Sequence, residues 1–428
     1  MDEERKIPKG RLSRLARFAS AGARTGLSLL RSGNDANDSA RKTAAILGQM
    51  RGVATKLGQM ASYVDGVVPE EHREAYETQM ARLQASTPRS SATEIRASVE
   101  RELGAPLETL FAEWSDEPIA SASIGQVHRA VLPDGRAVAV KVQHPGIRAA
   151  LEADLKNAGI LEMALATVGM GKFDSKRLLE ETREKFLEEL DYGLEARRQT
   201  RFAAVHAGDP RVRIPAIVQS HSGEVVLTSE FVTGLGFSEA CARPEEERRA
   251  WAETLWRFVY KGNLVGGLFN ADPHPGNYLF GPDGSVSFLD FGCVQPITEA
   301  KRLSAITMHK AAARQDWDVF YDGARDMLSS QGGMYEELVR VYLRDCFRPI
   351  SDSPFRITRE YSGGLVEQFK AMTNELRKSK NADFVPLPPG ILFINRLQFG
   401  FFSVLARLDA EVDYRQVEVA FLREAGLA

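Results

Sequence analysis

Apolar residues recur at helical spacing through the first hundred residues of the chain. Between positions 39 and 63 they fall every three or four residues, as one face of a helix requires: Ala44, Leu47, Met50, Ala54, Leu57 and Ala61. A second helix is expected up to Ala85. The run 90–94 then has the pattern of a cap before a helix that extends to Leu103 and ends at Gly104. We therefore predict an all-helical extension over residues 1–115, with a basic, potentially flexible segment at 1–35.

The pattern changes to short alternating runs from about Pro118. Three strands are predicted between residues 119 and 142, with a turn at 133–135 before the last of them. Helical sequence fills 147–205, and the runs 212–217 and 224–232 are predicted as the last strands of this lobe. A helical lobe is expected to follow from residue 234. The chain is thus predicted to have an α+β fold, with a small β-rich lobe at 116–233 and a helical lobe at 234–428.

Composition and charge place the chain among ordinary globular proteins. Of its 428 residues, 43% are hydrophobic and 26% are charged. A net charge of −3 gives no reason to expect nucleic acid as a partner. The three cysteines, Cys241, Cys293 and Cys346, are odd in number and far apart, which argues against a disulfide framework or a zinc site and favours a reducing compartment.

Two segments bear on membrane contact. Residues 5–33 carry eight basic side chains and no acidic one. They are either a basic amphipathic helix, which binds an anionic membrane surface or an acidic partner, or a solvated terminus. The run Ile391–Leu408 is apolar but is interrupted by Asn395, Arg396, Gln398 and Arg407. We expect it to be a buried helix and not a membrane span. With no secretory signal, the expected location is the cytoplasm, with peripheral contact at an anionic membrane left open.

The strongest candidate chemistry lies in the helical lobe. Asp272 and Asn277 are five residues apart, and Asp290 begins an Asp-Phe-Gly run eighteen residues after Asp272 (290 − 272). Protein kinases place their catalytic aspartate, metal-binding asparagine and D-F-G aspartate in this order. Phosphoryl transfer needs a carboxylate that orients the attacking oxygen and hard oxygen ligands for Mg²⁺. The turn sequence at 281–284 predicts a hairpin that brings Asn277 and Asp290 together.

The small lobe offers a lysine and a helix glutamate. Lys141 ends the sequence Val-Ala-Val-Lys, which matches the kinase strand whose lysine reaches the ATP phosphates. The best partner for it is Glu195, fifty-four residues on (195 − 141), although a solvated helix face remains the alternative for this glutamate. Where kinases carry a glycine-rich phosphate loop, this chain has alanines and serines and a single glycine, Gly125.

Together these motifs resemble the UbiB/AarF/ADCK family of atypical kinases. The resemblance includes Lys56 and Gln59 in a Lys-Leu-Gly-Gln run, Glu189 and Asp191 in a Glu-Leu-Asp run, and the alanine-rich segment from Ala120. It also includes Asp-Pro-His-Pro-Gly-Asn at 272–277 and the D-F-G at 290–292.

The resemblance implies a protein-kinase-like two-lobed fold that binds ATP and Mg²⁺ and acts as an atypical kinase or ATPase. Its acceptor would be small or lipid-linked, in support of ubiquinone or isoprenoid-lipid metabolism. The implied catalytic residues are Asp272, Lys141 and Asp290, and the implied metal ligands are Asn277 and Asp290. The implied nucleotide-binding residues are Ala120, Ser121, Ala122, Ser123, Ile124, Gly125, Val127, Lys141, Glu195 and Glu230. The implied regulatory residues are Lys56, Gln59, Glu189 and Asp191. Lys56 is expected to lie within hydrogen-bonding reach of Glu189, of Asp191 or of the nucleotide phosphates, and the extension that carries Lys56 and Gln59 is expected to occupy the groove of a protein substrate.

The chain departs from the family pattern at Asn270, where a histidine usually precedes the catalytic aspartate by two residues. Its C-terminal residues also lack the paired transmembrane helices of bacterial UbiB proteins, which leaves membrane anchoring and the ubiquinone pathway open. Two alternatives stay open: a small-molecule phosphotransferase of the aminoglycoside or choline kinase type, and a non-catalytic nucleotide-sensing scaffold. His274 is interpreted as structural and not as a metal ligand.

Overall fold

The computed structural model describes residues 90–121, 124–155, 184, 187–270, 272–328, 332–378 and 391–427. This part of the chain divides into two compact units. The first unit holds the residues up to Leu194 together with Ile217–Phe231, and the second holds Glu195–Ala216 and the residues from Val232 on. The helices predicted between 39 and 85 lie outside the described residues.

The described helices and strands follow one another along the chain in a mixed order. They are α1 (Ala92–Leu103), α2 (Leu107–Leu110), β1 (Glu113–Trp114), β2 (Ala120–Ser121), β3 (Gly125–Val131), β4 (Ala137–Gln143), α3 (Ile147–Leu155), α4 (Tyr192–Val205), β5 (Val212–Arg213), β6 (Val226–Glu230), α5 (Phe237–Cys241), α6 (Glu245–Leu264), β7 (Leu268–Asn270), β8 (Tyr278–Phe280), β9 (Val286–Phe288), β10 (Val294–Pro296), α7 (Glu299–Arg314), α8 (Trp317–Leu328), α9 (Gly333–Cys346), α10 (Arg348–Ser351), β11 (Phe355–Arg356), α11 (Arg359–Lys378), α12 (Ile391–Leu408), β12 (Glu411–Val412) and α13 (Tyr414–Glu424).

The first unit is built on an antiparallel sheet in the order β1-β3-β4-β6, with β2 paired to β3. Alternation along β4 buries Val138, Val140 and Val142 in one core with Ile95 and Val99 of α1. These three valines are the apolar half of the period-two pattern that predicted this strand. The other face of β4 carries the intervening side chains.

Helix α1 begins and ends where the sequence predicts. Ser91 and Glu94 form a capping box, with the Ser91 side chain accepting from the Glu94 backbone N–H. Gly104 terminates the helix in the left-handed conformation, at φ 72°, which glycine adopts without strain. The cap and stop predicted from the sequence are confirmed.

The second unit is organised around α6, which is buried along much of its length. Trp251, Leu255 and Phe258 of this helix lie in a core that also takes in Phe280 and Phe288. The indole Nε1 of Trp251 donates to the Gly281 carbonyl over 2.8 Å. Helix α6 therefore supports both the strands and the turn of the hairpin β8–β9.

Short strands in the second unit connect its functional segments. β7 pairs antiparallel with β10, so that Asn270 stands opposite Val294. β8 pairs antiparallel with β9, and β5 lies parallel to β9. The prediction that 212–217 is a strand of the small lobe is thus wrong for its first two residues, which form a strand paired with β9 in the second unit. Val212 instead joins the core of the second unit at 7% exposure, while Ile217 alone bridges to Ser229 of β6.

The boundary of the small lobe also differs from the expected one. We expected 116–233 to form one lobe, whereas Glu195–Ala216 group with the second unit. The division between the two units falls between Leu194 and Glu195. It lies in the first turn of α4, because this helix begins at Tyr192. Alternation and helical periodicity locate such elements but do not show which core a helix joins.

Among the described helices, none is both long and apolar enough to cross a membrane. In α12, Phe401, Phe402, Val404 and Leu405 are buried in the core of the second unit. The interpretation of this run as a buried helix is confirmed for the side chains that the structure describes, from Gln398 on. The basic segment at 1–35 lies outside the described residues.

Candidate active site

Lys141 lies on the middle of the first-unit sheet. On β4 it stands opposite Val127 of β3 and Leu227 of β6. Because successive residues of a strand point to opposite faces, it faces away from Val140, which is fully buried in the core. Its Nζ lies 5.0 Å from the centroid of the Tyr192 ring. The strand therefore presents the half-buried Lys141 ammonium on the face of the sheet opposite the apolar core.

The alanine-rich segment forms a narrow hairpin with β3. Ala120 of β2 stands opposite Val127, and Ser121 stands opposite Gln126. Residues 122 and 123 lie outside the described residues. The Ile124 carbonyl accepts from the His144 backbone N–H over 2.9 Å. The hairpin is thus tied to the end of β4, two residues beyond Val142.

Gly125 occupies a position where a side chain does not fit. A Cβ at this residue would lie 2.5 Å from the Val142 carbonyl oxygen and 2.8 Å from the hydroxyl of Tyr192. The first of these neighbours is backbone and cannot turn aside. The single glycine that the alanine-rich segment retains is therefore required by the close approach of β4 and the Tyr192 phenol.

Gln126, next to that glycine, points to the opposite face of the sheet. It is buried, and its Oε1 accepts from the Ser90 backbone N–H over 3.1 Å. Its Nε2 lies 2.9 Å from Nε2 of His128. The residues of the Gly-Gln-Val run therefore lie on both faces of the sheet. Gly125 and Val127, which the resemblance assigns to nucleotide binding, share one face, and Gln126 on the other face binds the start of α1.

The Glu-Leu-Asp segment is a tight turn held to the first unit by its backbone. The carbonyl of Leu190 accepts from Gln143 Nε2 and from Arg148 Nη2, both at 2.9 Å. Asp191 Oδ1 accepts from the Leu194 backbone N–H over 2.7 Å, so this carboxylate caps α4. Glu189 is half-buried in the turn. Lys56 and Gln59, their predicted partners, lie outside the described residues, so that contact stays a prediction.

Glu230, the remaining nucleotide-binding candidate of the first unit, ends β6. It stands opposite Val138 and its side chain is exposed. The next residue, Phe231, donates its backbone N–H to the Ala137 carbonyl over 3.0 Å. The ladder thus continues past Glu230 to the point where the described chain enters the second unit.

Helix α4 brings two charged side chains to the D-F-G turn of the second unit. Glu195 is 2% exposed. Arg198, one turn later, donates from Nη1 to the Gly292 carbonyl over 2.8 Å. A Cβ at Gly292 would lie 3.2 Å from Asp290 Oδ1 and 3.7 Å from Glu195 Oε2, so both carboxylates approach this glycine. Sequence reasoning missed Arg198, although its spacing of three from Glu195 places it on the same helix face.

The loop after β7 folds back on itself through local hydrogen bonds. The Asp272 carbonyl accepts from the His274 backbone N–H over 2.7 Å and from Asn277 Nδ2 over 3.3 Å. His274 Nδ1 accepts from the Gly276 backbone N–H over 2.9 Å. That bond caps the short helical turn Pro275–Asn277 and supports a structural role for the histidine.

The hairpin β8–β9 joins this loop to the D-F-G turn. In its register Tyr278 stands opposite Phe288, and the Leu289 backbone N–H donates to the Asn277 carbonyl over 3.0 Å. Asp290 Oδ1 accepts from the Gly292 backbone N–H over 2.9 Å. The hairpin predicted from the turn sequence at 281–284 is confirmed, and it pairs Asn277 with Leu289, the residue before Asp290.

The aromatic residue of the D-F-G run is part of the second-unit core. Phe291 is fully buried, and its ring centroid lies 5.2 Å from that of Phe202 on α4 and 6.3 Å from that of Phe258 on α6. Phe258 in turn stacks on Phe288 at 3.6 Å. The side chain between the proposed metal ligand Asp290 and Gly292 is therefore fixed by packing.

Two further contacts shape the surroundings of Asp272. Burial raises the pKa of the Tyr278 phenol, and the negative charge of Asp272 raises it further. The phenol therefore stays protonated at neutral pH. On another side, a Cβ at Gly400 of α12 would lie 2.7 Å from Cγ of Pro273, so this helix approaches the loop as closely as a glycine permits.

Comparison with known proteins points to one family. The profile of the ABC1 atypical kinase-like domain matches residues 82–322, more than half of the 428-residue chain. The chain is 26% identical over 431 residues to the protein named atypical kinase COQ8, mitochondrial, of Saccharomyces cerevisiae, covering 95% of this chain and 83% of that one. It is 36% identical over 255 residues to ACTIVITY OF BC1 COMPLEX KINASE 3, chloroplastic, of Arabidopsis thaliana, covering 59% of this chain.

The coverage of the relatives is uneven. The chain spans 35% of the length of that Arabidopsis protein and 37% of a second chloroplast relative, ACTIVITY OF BC1 COMPLEX KINASE 7. Among solved structures, it is similar to one titled the complex structure of Rv3197-erythromycin from Mycobacterium tuberculosis. The TM-score is 0.60 at 27% identity, and the match covers 95% of this chain and 96% of the other.

Proposed function

We infer the function from a family relationship, because this chain belongs to the ABC1 atypical kinase-like proteins, the UbiB/AarF/ADCK family, and has their kinase-like fold. We propose that it binds ATP with Mg²⁺ and either hydrolyses the nucleotide or transfers its terminal phosphoryl group. The observation that carries this proposal is the hairpin β8–β9. It connects the loop of Asp272 and Asn277 to Asp290 through the bond from Leu289 N–H to the Asn277 carbonyl, 3.0 Å long.

The donor set near this hairpin fits a magnesium ion that is shared with a nucleotide. Mg²⁺ is usually held by one or two protein oxygens, substrate phosphates and water. Asn277 uses its amide nitrogen toward the Asp272 carbonyl, which orients Oδ1 as the remaining ligand atom. Within the described part of the chain, no group of three or more His, Cys, Asp or Glu side chains is arranged to hold a metal by itself. Asp290 and Asn277 are therefore proposed to act with the phosphates.

The other residues have separate roles in the proposal. Bound ATP would supply the phosphoryl group, and Mg²⁺ held by Asp290 and Asn277 would neutralise its charge. Asp272 orients the attacking oxygen and accepts its proton. Lys141 would pair with the α- and β-phosphates of the bound nucleotide. The partnership of Lys141 with Glu195 and the nucleotide contacts of the alanine-rich segment stay predictions.

The proposal is tested by nucleotide binding in a charge-removing pair of variants. In the wild type, Mg-ATP at a hundredfold excess over Kd should stabilise the fold by about 2.7 kcal/mol. Asp290→Asn should abolish the Mg-dependent part of this shift, because it removes the carboxylate ligand. Asp283→Asn makes the same change in the turn of the same hairpin, where Asp283 pairs with Arg213, and should bind nucleotide as the wild type does.

Three outcomes of this test distinguish the candidate functions and check the metal ligand. Loss of Mg-ATP binding in Asp290→Asn alone, with phosphate release in the wild type, supports an ATPase or kinase. Binding without any turnover favours the nucleotide-sensing scaffold. Equal stabilisation of both variants by Mg-ATP contradicts the placement of the metal ligand at Asp290.

A second candidate function is phosphorylation of a hydroxyl-bearing small molecule. The similarity over 95% of the chain to a structure titled as an erythromycin complex favours a small organic ligand over a protein. Erythromycin added to the wild type with labelled ATP is the direct probe. Accelerated ATP turnover together with a labelled macrolide product supports this function, whereas unchanged turnover and an unlabelled macrolide contradict it for this ligand.

A lipid or isoprenoid acceptor and contact with an anionic membrane complete the proposal. They come from the resemblance and from the basic residues 5–31. Binding to anionic liposomes should weaken at about 0.5 M salt, where exposed charges more than roughly 4 Å apart are largely screened. Flotation that neither salt nor deletion of this segment changes would contradict the membrane contact.

A further inference from the structure

The side chain of Asn270 joins the backbone at the two proposed catalytic aspartates. Its Nδ2 donates to the Asp290 carbonyl over 2.7 Å. Its Oδ1 accepts from the Asp272 backbone N–H over 3.1 Å. One amide thus uses its donor and its acceptor on two segments that lie eighteen residues apart (290 − 272).

The bridge starts from a fixed base. Asn270 is the last residue of β7 and pairs with Val294 of β10. The two residues before it, Leu268 and Phe269, are 3% and 6% exposed and belong to the core of the second unit. Because the main chain of Asn270 is held by the strand pair and by this packing, Asp290 cannot shift relative to Asp272 without loss of a bond to Asn270.

We infer that Asn270 is a positioning residue that sets the separation between the carboxylate of Asp272 and that of Asp290. The inference rests on the proposed function, which gives these two carboxylates their roles. Mg²⁺ demands near-ideal geometry from its ligands, and a misplacement of about 1 Å in an active site can lower the rate by about a hundredfold. A side chain that fixes the backbone of both aspartates therefore affects the proposed reaction through their positions, and it does so without touching the substrate.

The chemistry of an amide gives this bridge a property that a histidine at the same position lacks. An asparagine side chain offers a donor and an acceptor at every pH at which the protein is folded. A neutral imidazole also offers one of each, but an imidazolium has two donors and no acceptor for the Asp272 N–H. The asparagine that stands where the family usually has a histidine therefore supplies the donor and the acceptor of the bridge without any change of protonation.

The test uses two substitutions at Asn270 and one control. Asn270→Ala removes both bonds, and Asn270→Asp keeps the acceptor but removes the donor to the Asp290 carbonyl. The control is Asn263→Ala. The side-chain amide of Asn263, turned so that its nitrogen faces acceptors, donates to the Leu268 carbonyl over 3.1 Å at the other end of β7.

The first readout is amide hydrogen exchange at Leu289 and Gly292 in the nucleotide-free protein. Exchange reports local opening independently of any activity. We expect it to be about tenfold faster in Asn270→Ala and Asn270→Asp than in the wild type.

The second readout is the Mg²⁺ dependence of ATP turnover. We expect Asn270→Ala to lower kcat by about ten- to a hundredfold and to raise the Mg²⁺ concentration for half-maximal turnover, while Asn263→Ala changes neither.

The outcomes distinguish this inference from the proposed function. Unchanged exchange in Asn270→Ala overturns the bridge. Faster exchange with unchanged kcat and Mg²⁺ dependence overturns the positioning role and leaves a purely structural one. A wild type that neither binds Mg-nucleotide nor hydrolyses ATP overturns the proposed function, and with it the catalytic meaning of the bridge, whereas the exchange rates still decide whether Asn270 holds the two segments.

Discussion

In the first unit, the position of Lys141 follows from sheet register, since β4 is paired on both sides, with β3 and with β6. In the second unit, Asp290 lies just beyond a short hairpin, and the turn that it begins is held by side chains from elsewhere. Asn270 binds the Asp290 carbonyl at 2.7 Å, and Arg198 binds the Gly292 carbonyl at 2.8 Å. The cation is thus placed by many backbone bonds, and the carboxylate is placed by a few specific side chains.

This difference agrees with what each group would do in the proposed function. A lysine reaches a phosphate on a flexible four-carbon stem, so its strand needs only to point it to the correct face. A metal ligand has a short side chain and must be held to within about 0.5 Å. The two regions should therefore respond differently to substitution, with packing damage dominant in the first and loss of activity dominant in the second.

The largest expected effect is on the stability of the first unit. Gly125→Ala places a Cβ 2.5 Å from the Val142 carbonyl oxygen and 2.8 Å from the Tyr192 hydroxyl. We expect a loss of about 2–3 kcal/mol, because β3 and β4 must separate to admit the methyl group. Native-state hydrogen exchange along β4 measures this directly.

Gly364→Ala provides the matched control for that change. Gly364 lies exposed within α11, and a Cβ there meets no atom within 4 Å. Alanine should stabilise this helix by about 0.5–1 kcal/mol. Similar protection of β4 in wild type and Gly125→Ala would show that the strands do not depend on the glycine.

The second effect concerns the clamp on the D-F-G turn. Arg198→Ala removes a hydrogen bond from a charged group to the Gly292 carbonyl, which is worth about 1.5–3 kcal/mol when the partner is left buried. Because Arg198 is half-buried, we expect the lower end of that range, together with a fall in ATP turnover of about tenfold. Urea unfolding and phosphate release measure the two quantities.

Arg201→Ala on the same helix separates the clamp from a general charge effect. Arg201 is exposed on α4, so its removal should change unfolding free energy by less than about 0.5 kcal/mol. Equal loss of turnover in both variants would contradict a specific role for the bond to Gly292.

The same contrast explains what the sequence could predict. The hairpin β8–β9 was predictable because its turn residues, Gly281 and Gly284 among them, are a local signal. Lys141 was predictable because alternation fixes its face. The bond from Asn270 to the Asp290 carbonyl was not, since a backbone carbonyl twenty residues away leaves no mark in composition or spacing. The parallel pairing of Val212 with Val286 was missed for the same reason, because short strands are assigned by non-local partners.

Two buried histidines extend the comparison to the cores of the two units. In the first unit, Nδ1 of His128 lies 2.8 Å from the Ser115 carbonyl oxygen, and its Nε2 lies 2.9 Å from the side-chain amide nitrogen of Gln126. His206 in the second unit is buried and stacked on Phe258, with the two ring centroids 5.1 Å apart. Burial lowers the pKa of both, and that of His206 falls to about 3.

The smallest effect at neutral pH, and the one with a distinctive pH dependence, is that of His206→Leu. Between its ordinary pKa of 6.5 and its folded pKa of about 3, this histidine binds a proton in the unfolded chain and none in the folded one. Acid therefore destabilises the fold through His206 by up to about 1.4 kcal/mol per pH unit below 6.5. His206→Leu should change the free energy of unfolding by less than about 0.5 kcal/mol at pH 7.5. At pH 5.5 the variant should be more stable than the wild type by about 1 kcal/mol.

His128→Leu leaves the Ser115 carbonyl and the Gln126 amide without their partner, and should instead cost about 1–2 kcal/mol at pH 7.5. Urea unfolding of the three proteins at both pH values measures the difference, and parallel pH profiles for His206→Leu and the wild type would show that this imidazole is protonated equally in the folded and unfolded states.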